Sequence, residues 1–244
     1  PCHKILMKAA GARMLRQAPR RLRIKDDAVV LYQHKPYGFL SPSTAPEGNK
    51  VFAIDLLKQV NFSGDAWTRD VDPRDLPGLR AAGRLDADST GLMVWSNDRS
   101  LVEYIIGQSS QVEKEYMVRV SGHELWSAEQ MDETISQLRE GMQLDNEPLK
   151  PVGVQRVNPE QLRMTLTEGK HRQIRRMCAL VGLQVDAIKR VRIGQLRLKG
   201  LQVGNWVALK PRQAGPLFQS QFWKEQQRAD KRYERERFVP GARS

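Results

Sequence analysis

Cysteine is scarce in this chain: two among 244 residues, Cys2 and Cys178. Two thiols can neither staple a fold of this length nor build a cysteine-based zinc site. A disulfide-rich secreted scaffold is therefore excluded, and a reducing, cytoplasmic setting is expected. Long apolar runs are missing too. No stretch approaches the roughly 18 unbroken apolar residues of a membrane span, and no Lys/Arg-rich amphipathic helix with a Trp/Phe/Leu face points to a membrane surface. The P-loop, G-x-S-x-G, H-E-x-x-H and G-x-G-x-x-G patterns are all absent. His3, His34, His123 and His171 stand in unrelated contexts. Metal-centred and nucleotide-cofactor chemistry has little support, and no cofactor is expected.

Acid is the other shortage. Lys+Arg is 40 against 28 for Asp+Glu, a formal charge of +12. A compact chain with that self-repulsion gains from a polyanionic partner, and nucleic acid also releases counterions on binding. The first 25 residues carry Lys4, Lys8, Arg13, Arg16, Arg20, Arg21, Arg23 and Lys25 and no acid at all. Such a segment suits an RNA-binding arm, the remnant of a preceding domain, or a transit peptide. Pro1 in place of methionine suggests a processed or truncated start.

Hydrophobic residues make up 40% of the chain, an ordinary globular share. The expected organisation is a basic segment over 1–27, one folded domain over 28–212 and a charged tail over 213–244. Val29 to Tyr32 form a β-rich run that stops at Lys35-Pro36 and Gly38. Ala53 to Val60 reads as a short amphipathic helix and Asp65 to Gly78 as a loop. Leu92 to Trp95 reads as a buried strand. Asp98 caps a helix to Gly107, and Ser127 caps another to Glu140. Glu115 to Val120 and Leu162 to Leu166 alternate as half-buried strands. From His171 to Val181, the residues Ile174, Met177, Cys178 and Val181 recur at helical spacing and face a core. Val185 to Ile193, Leu196 to Leu198 and Trp206 to Leu209 continue the β pattern. The strands lack a strict βαβ rhythm, so the expected class is α+β, a mixed and largely antiparallel sheet flanked by helices.

Three segments could carry chemistry. The run Gly83-Arg84-Leu85-Asp86-Ala87-Asp88-Ser89-Thr90-Gly91-Leu92 sets carboxylates on a tight loop just before an apolar strand. That placement suits a nucleophile or base at a cleft, and equally an Asx-turn closed by Asp86 or Asp88. A magnesium pair of Asp86 and Asp88 lacks a further acidic cluster. In Glu168-Gly169-Lys170-His171-Arg172-Gln173-Ile174-Arg175-Arg176-Met177, four strong bases crowd a helix start. They oppose the macrodipole there by a few tenths of a kcal/mol each. That conflict calls for an external anion or an internal carboxylate, unless the face is simply solvated. In Lys114-Glu115-Tyr116-Met117-Val118, the Tyr116 ring is either core or a stacking platform for a base.

Together, and in this order, these segments resemble the RsuA/RluB/RluE/RluF-type family of bacterial ribosomal RNA pseudouridine synthases. The likeness runs from about Val29, through His34-Lys35-Pro36-Tyr37-Gly38, to about Leu209, and looks most like the RluF-type branch. The resemblance implies a pseudouridine synthase catalytic domain with a cleft between two subdomains and no cofactor. It implies uridine isomerisation in ribosomal RNA, that of the large subunit, by a monomer. By carry-over Asp86 is the catalytic aspartate, Arg175 its ionic partner within about 4 Å, and Tyr116 the ring against the flipped uracil. Arg84, Lys114, Lys170, Arg172, Arg176, Lys189, Arg190 and Arg192 are then candidates to bind RNA phosphates. Family members usually carry a preceding helical RNA-binding module, for which 27 residues are too few. Other readings of the same residues are a synthase acting on 16S or transfer RNA, a non-catalytic RNA or ribosome-assembly module, and a magnesium-dependent nuclease.

Overall fold

In the computed structural model the described residues are 22–41, 51–64 and 71–218. Most of the basic N-terminal segment and the tail beyond 218 lie outside them. A nine-stranded sheet organises the chain. Its first strand, β1 (Val30–Lys35), pairs antiparallel with β3 (Ser89–Ser96) on one side and with β11 (Trp206–Leu209) on the other. The short β2 (Arg80–Ala81) adds to β3. The second half holds β4 (Lys114–Ser121), β7 (Gly153–Asn158), β8 (Gln161–Leu166) and β9 (Gln184–Ile193), with β10 (Leu196–Arg197) folded back on β9. Every pairing between these strands is antiparallel except β3 with β9, a parallel seam of three residue pairs, Ser89–Ile188, Thr90–Lys189 and Gly91–Arg190.

Strand β3 is buried on both faces, and its alternation divides the first half's core. Leu92 and Val94 pack with Leu101 and Ile105 of α1 (Arg99–Ile106) and with Phe218 of α4 (Pro211–Phe218). Met93 and Trp95 pack with Leu31, Leu57 and Trp206 on the other side. In the second half, Val118, Leu162 and Met164 meet Met131 and Leu138 of α2 (Ala128–Arg139) and Ile174, Met177 and Cys178 of α3 (Gln173–Leu180). The helix starts expected at Asp98 and Ser127 are both capped. Asp98 accepts from the Ser100 and Leu101 amides, and Ser127 forms a capping box with Gln130.

Several elements differ from the sequence-based expectation. Ala53 to Val60 is two 3-10 turns, Ala53–Leu56 and Gln59–Asn61, anchored by buried Ala53 and Leu57. Leu57 leaves the helical region at ψ 45°, so no α-helix propagates. Strand β7 and the hairpin of β5 (Gln143–Leu144) with β6 (Glu147–Pro148) carry too few apolar alternations to be read. The boundary drawn at 212 falls inside α4, which sends Ala214 and Phe218 into the core.

Candidate active site

Strand β3 begins directly after the loop that carries Asp86, and the seam with β9 fixes where that loop lies. At the seam Gly91 has φ 115°, and a Cβ there would meet the Arg190 backbone nitrogen at 2.6 Å. Only glycine lets the two strands approach so closely. Arg190 is 2% exposed although it carries a charge. Its Nε donates to the Leu92 carbonyl at 2.7 Å, and its two terminal nitrogens donate to the Gly83 and Arg84 carbonyls at 3.2 Å each.

The rest of the loop is held in the same manner. Ser41 Oγ donates to the Leu85 carbonyl at 2.6 Å and accepts from the Leu85 amide at 2.8 Å. The Asp86 carbonyl accepts from Ser89 N, and that of Ala87 from Gly38 N. Arg175 Nη2 donates to the Asp88 carbonyl at 3.1 Å, and Lys35 Nζ to that of Ser89 at 2.7 Å. Every carbonyl from Gly83 to Ser89 therefore has a donor. Donors from β1, β9, α3 and the segment after β1 converge on it, which presets the geometry a catalytic side chain needs. Burial pushes the Lys35 ammonium down to about 8, partly offset by the charges of Asp88 and Asp86.

Asp86 lines a cleft of about 1180 Å³ that Arg84, Tyr116, Lys114, Lys150 and Arg172 also line. The bases of α3 meet the loop acids across it. Arg172 is the residue before α3 and sits in the left-handed region at φ 49°. A non-glycine residue there costs about 1–3 kcal/mol. The conformation throws its side chain ahead of the helix. Its Nη1 stands 3.6 Å from the Asp86 carboxylate and its Nη2 3.0 Å from that of Asp88. Burial raises the Asp88 carboxyl, but the Arg172 hydrogen bond and the Arg175 and Arg172 charges outweigh it and hold the group below its ordinary value. The helix start that opposed its own dipole is thus compensated by internal carboxylates.

This arrangement corrects the ion pair implied by resemblance. Arg175 lies one turn further along α3. It reaches Asp88 Oδ2 at 3.1 Å and the Val185 carbonyl at 2.8 Å, and forms no ion pair with Asp86. Arg172 is the arginine within 4 Å of Asp86.

Other candidate RNA contacts also divide. Arg84 and Lys189 are exposed and carry no ion pair among the described residues. Lys170 pairs with Glu147, and Arg176 with Asp145, both acids of the β5–β6 hairpin. Arg190 and Arg192 are corrections: both are buried. Their stretch of β9 is covered by protein, whereas Lys189 on the same strand is exposed, so the two guanidinium groups must be neutralised internally. Arg192 pairs with Glu113 and Glu115 at 3.0 and 3.1 Å. Lys114 is likewise buried, at 6% exposure, and faces the cleft. Lys35, Ser41 and the clamp role of Arg190 gave no sequence signal, because each acts on backbone carbonyls that any residue supplies.

Residues 29–180, well over half of the chain, match the family model described as RNA pseudouridylate synthase. The ribosomal large subunit pseudouridine synthase B of Yersinia pestis is 34% identical over 186 residues, covering 74% of this chain and 52% of its own length. Its counterpart in Salmonella typhi is 35% identical over 187 residues, covering 74% and 56%. The chain thus spans about half the length of the curated relatives it matches. Those relatives carry the designation B, whereas the motifs leaned toward the RluF-type branch. A crystal structure of a pseudouridylate synthase shares the fold, with a TM-score of 0.64 at 22% identity over 80% of this chain and 75% of that one. The matched span holds the Asp86 loop, β4 and α3, the elements that build the cleft, and the chain belongs to the RNA pseudouridylate synthase family.

Proposed function

We propose that this chain isomerises uridine to pseudouridine in ribosomal RNA, that of the large subunit, in the cytoplasm and as a monomer, with Asp86 as the catalytic group. The observation that carries the reading is Asp86 on a loop with every carbonyl hydrogen-bonded, at the wall of a cleft shared with Tyr116, and with Arg172 3.6 Å away. The target base must leave its stack, at a cost of a few kcal/mol. Stacking on Tyr116 offsets about 1–3 kcal/mol of that. The C1′–N1 bond then breaks with its electron pair on the uracil, the base turns, and C5 bonds to C1′. C5 loses its proton and N1 gains one, so the reaction needs no external oxidant or reductant. Whether Asp86 attacks the sugar or takes a ribose proton, it acts ionised. The Arg172 guanidinium stands 3.6 Å from its carboxylate. Arg175 and Arg190 hold the loop, and exposed Arg84 and Lys189 supply phosphate contacts.

The test is release of tritium from ribosomal RNA labelled at C5 of uridine, with chelator present. The expected result is release by the wild type and none by Asp86→Asn, which still binds RNA. A wild type that binds but releases no tritium, from free RNA or from isolated large-subunit particles, overturns the reading in favour of a binding module.

A further inference from the structure

We propose that Lys114 is a further catalytic residue, the cation that stabilises the uracil while it is detached from the sugar. The inference rests on the isomerase reading above and adds a group to it.

Detachment leaves the bonding electron pair on the uracil, so negative charge develops over its ring and carbonyl oxygens. A dry, preorganised donor is what such charge needs. Arg172 and Arg175 are committed to the two loop aspartates. Arg190 is committed to three carbonyls.

Lys114 is different. It precedes Tyr116 by two residues on β4, so the two side chains leave the same face of the strand, and both line the Asp86 cleft. It is 94% buried by side chains and backbone around it, at 6% exposure. Its Nζ has a single long contact, 3.4 Å to the Thr167 carbonyl, and no ion pair among the described residues. An ammonium has three N–H donors, so at least two point elsewhere. A buried ammonium this poorly satisfied is costly unless a ligand completes it.

The surroundings select an anionic ligand. The charges that act on Lys114 are Arg190 from β9 and Lys150 from the segment between β6 and β7, both cationic; Asp86, Arg80, Arg84, Lys170 and Arg172 line the same cleft. Glu168, the nearest acid along the chain after Thr167, is taken by the Lys150 amide and by Gln173 Nε2. Glu113, just before β4, and Glu115, on its other face, are both held by Arg192. Burial, then the Arg190 and Lys150 charges, push the ammonium down to about 8. It is therefore still protonated at neutral pH and loses its charge not far above it. Lys114 donates hydrogen bonds and charge only; the C5 proton leaves and N1 is protonated without it.

The experiment is single-turnover tritium release at saturating RNA, run from pH 6.5 to 9.5, on wild type, Lys114→Met and Lys114→Arg, with RNA affinity measured beside it. Removing one donor of this kind costs about 100- to 1,000-fold in rate. Lys114→Met should lose that in the saturated rate with affinity changed less than about twofold. Wild-type rate should fall above pH 8 more steeply than that of Lys114→Arg, which does not titrate there; the loss of charge on Lys35, itself held down to about 8 beside the Asp86 loop, is common to both proteins. Should Lys114→Met fail to fold, the pH profile of Lys114→Arg alone decides. An unchanged saturated rate, or a loss confined to affinity with a shallower salt dependence, would make Lys114 a phosphate contact and overturn the assignment. A wild type without tritium release would overturn the isomerase reading itself, so the two failures are distinct.

Discussion

Arg175 closes on Asp88 twice, with Nη2 3.1 Å from the carboxylate and 3.1 Å from the carbonyl of the same residue. Its other terminal nitrogen holds Val185 of β9 at 2.8 Å. One guanidinium thus ties α3, β9 and the Asp86 loop together. Asp88 rather than Asp86 is the hub of the ionic cluster, since Arg172 reaches it as well. Asp88→Asn keeps the shape and removes the charge that both arginines share. Tritium release by this variant is expected to fall on the order of 100-fold, the cost of a small misplacement at a reacting centre. Affinity for RNA should stay level or rise, because two cations are released. Wild-type turnover in Asp88→Asn would remove Asp88 from the positioning of the loop.

The same carboxylate makes an acid-pH prediction. Its folded pKa lies below the ordinary value, so the stabilisation is complete above that value and is lost as pH falls through the folded one. Urea denaturation of wild type and Asp88→Asn should differ at pH 6 by on the order of 1 kcal/mol, the worth of a partly exposed pair. The gap should close as pH falls below the ordinary aspartate range. A gap that stays constant with pH would mean the asparagine acts through packing rather than charge.

The three arginines of α3 and its start should separate. Arg172→Ala removes the charge beside Asp86, and Arg175→Ala unties the loop. Each is expected to lower turnover about 100-fold. Arg176 spends its guanidinium on exposed Asp145, and Arg176→Ala should stay within about twofold of wild type. Arg175→Lys should rescue poorly, because one ammonium cannot hold two carbonyls and a carboxylate in a planar fork. Kinetics of the four variants decide this, and equal losses at 172 and 176 would argue against the pairing.

How much of this was readable in advance depends on what each residue acts upon. Helix starts at Asp98 and Ser127 were legible because a cap is a local event between residues two or three apart. Strands β3, β4 and β9 were legible from their apolar pattern. The pairing of Asp86 with Arg172 was not, since Arg172 and Arg175 differ by one helical turn and only the left-handed φ of Arg172 decides which one reaches forward. Arg190 and Arg192 looked like phosphate contacts because sequence shows charge but not that their stretch of β9 is covered by protein.

Arg190→Lys is expected to be destabilising despite the retained charge. Lysine presents one nitrogen where arginine satisfies the Leu92, Gly83 and Arg84 carbonyls. A single ammonium leaves two of these acceptors, at least one of them only part-buried, without donors, at up to about 1–3 kcal/mol each. Denaturant midpoints should therefore fall by an amount worth about 2–5 kcal/mol. A loss under 1 kcal/mol would mean that water replaces the guanidinium and that the clamp is dispensable.

RNA binding by a chain of this charge should weaken steeply with ionic strength, and each phosphate contact adds roughly 0.7 to the slope of log affinity against log salt for single strands. The structure divides the basic residues into those free to contribute and those already neutralised. Arg84 and Lys189 are exposed, so Arg84→Ala and Lys189→Ala should each weaken binding on every RNA and make the slope shallower by about one contact. Arg192 is buried between Glu113 and Glu115. Arg192→Ala should leave the slope where it is and cost stability, about 3–5 kcal/mol for a buried pair broken on one side. Lys170 and Arg176 are intermediate, since exposed Glu147 and Asp145 already hold them. Asp145→Asn with Glu147→Gln should free both, raising affinity at low salt and steepening the slope. Filter binding between about 50 and 200 mM salt on the five proteins measures all of this. A shallower slope in Arg192→Ala, or an unchanged one in Arg84→Ala, whose side chain lines the cleft, would place the RNA on a different face from the Asp86 cleft.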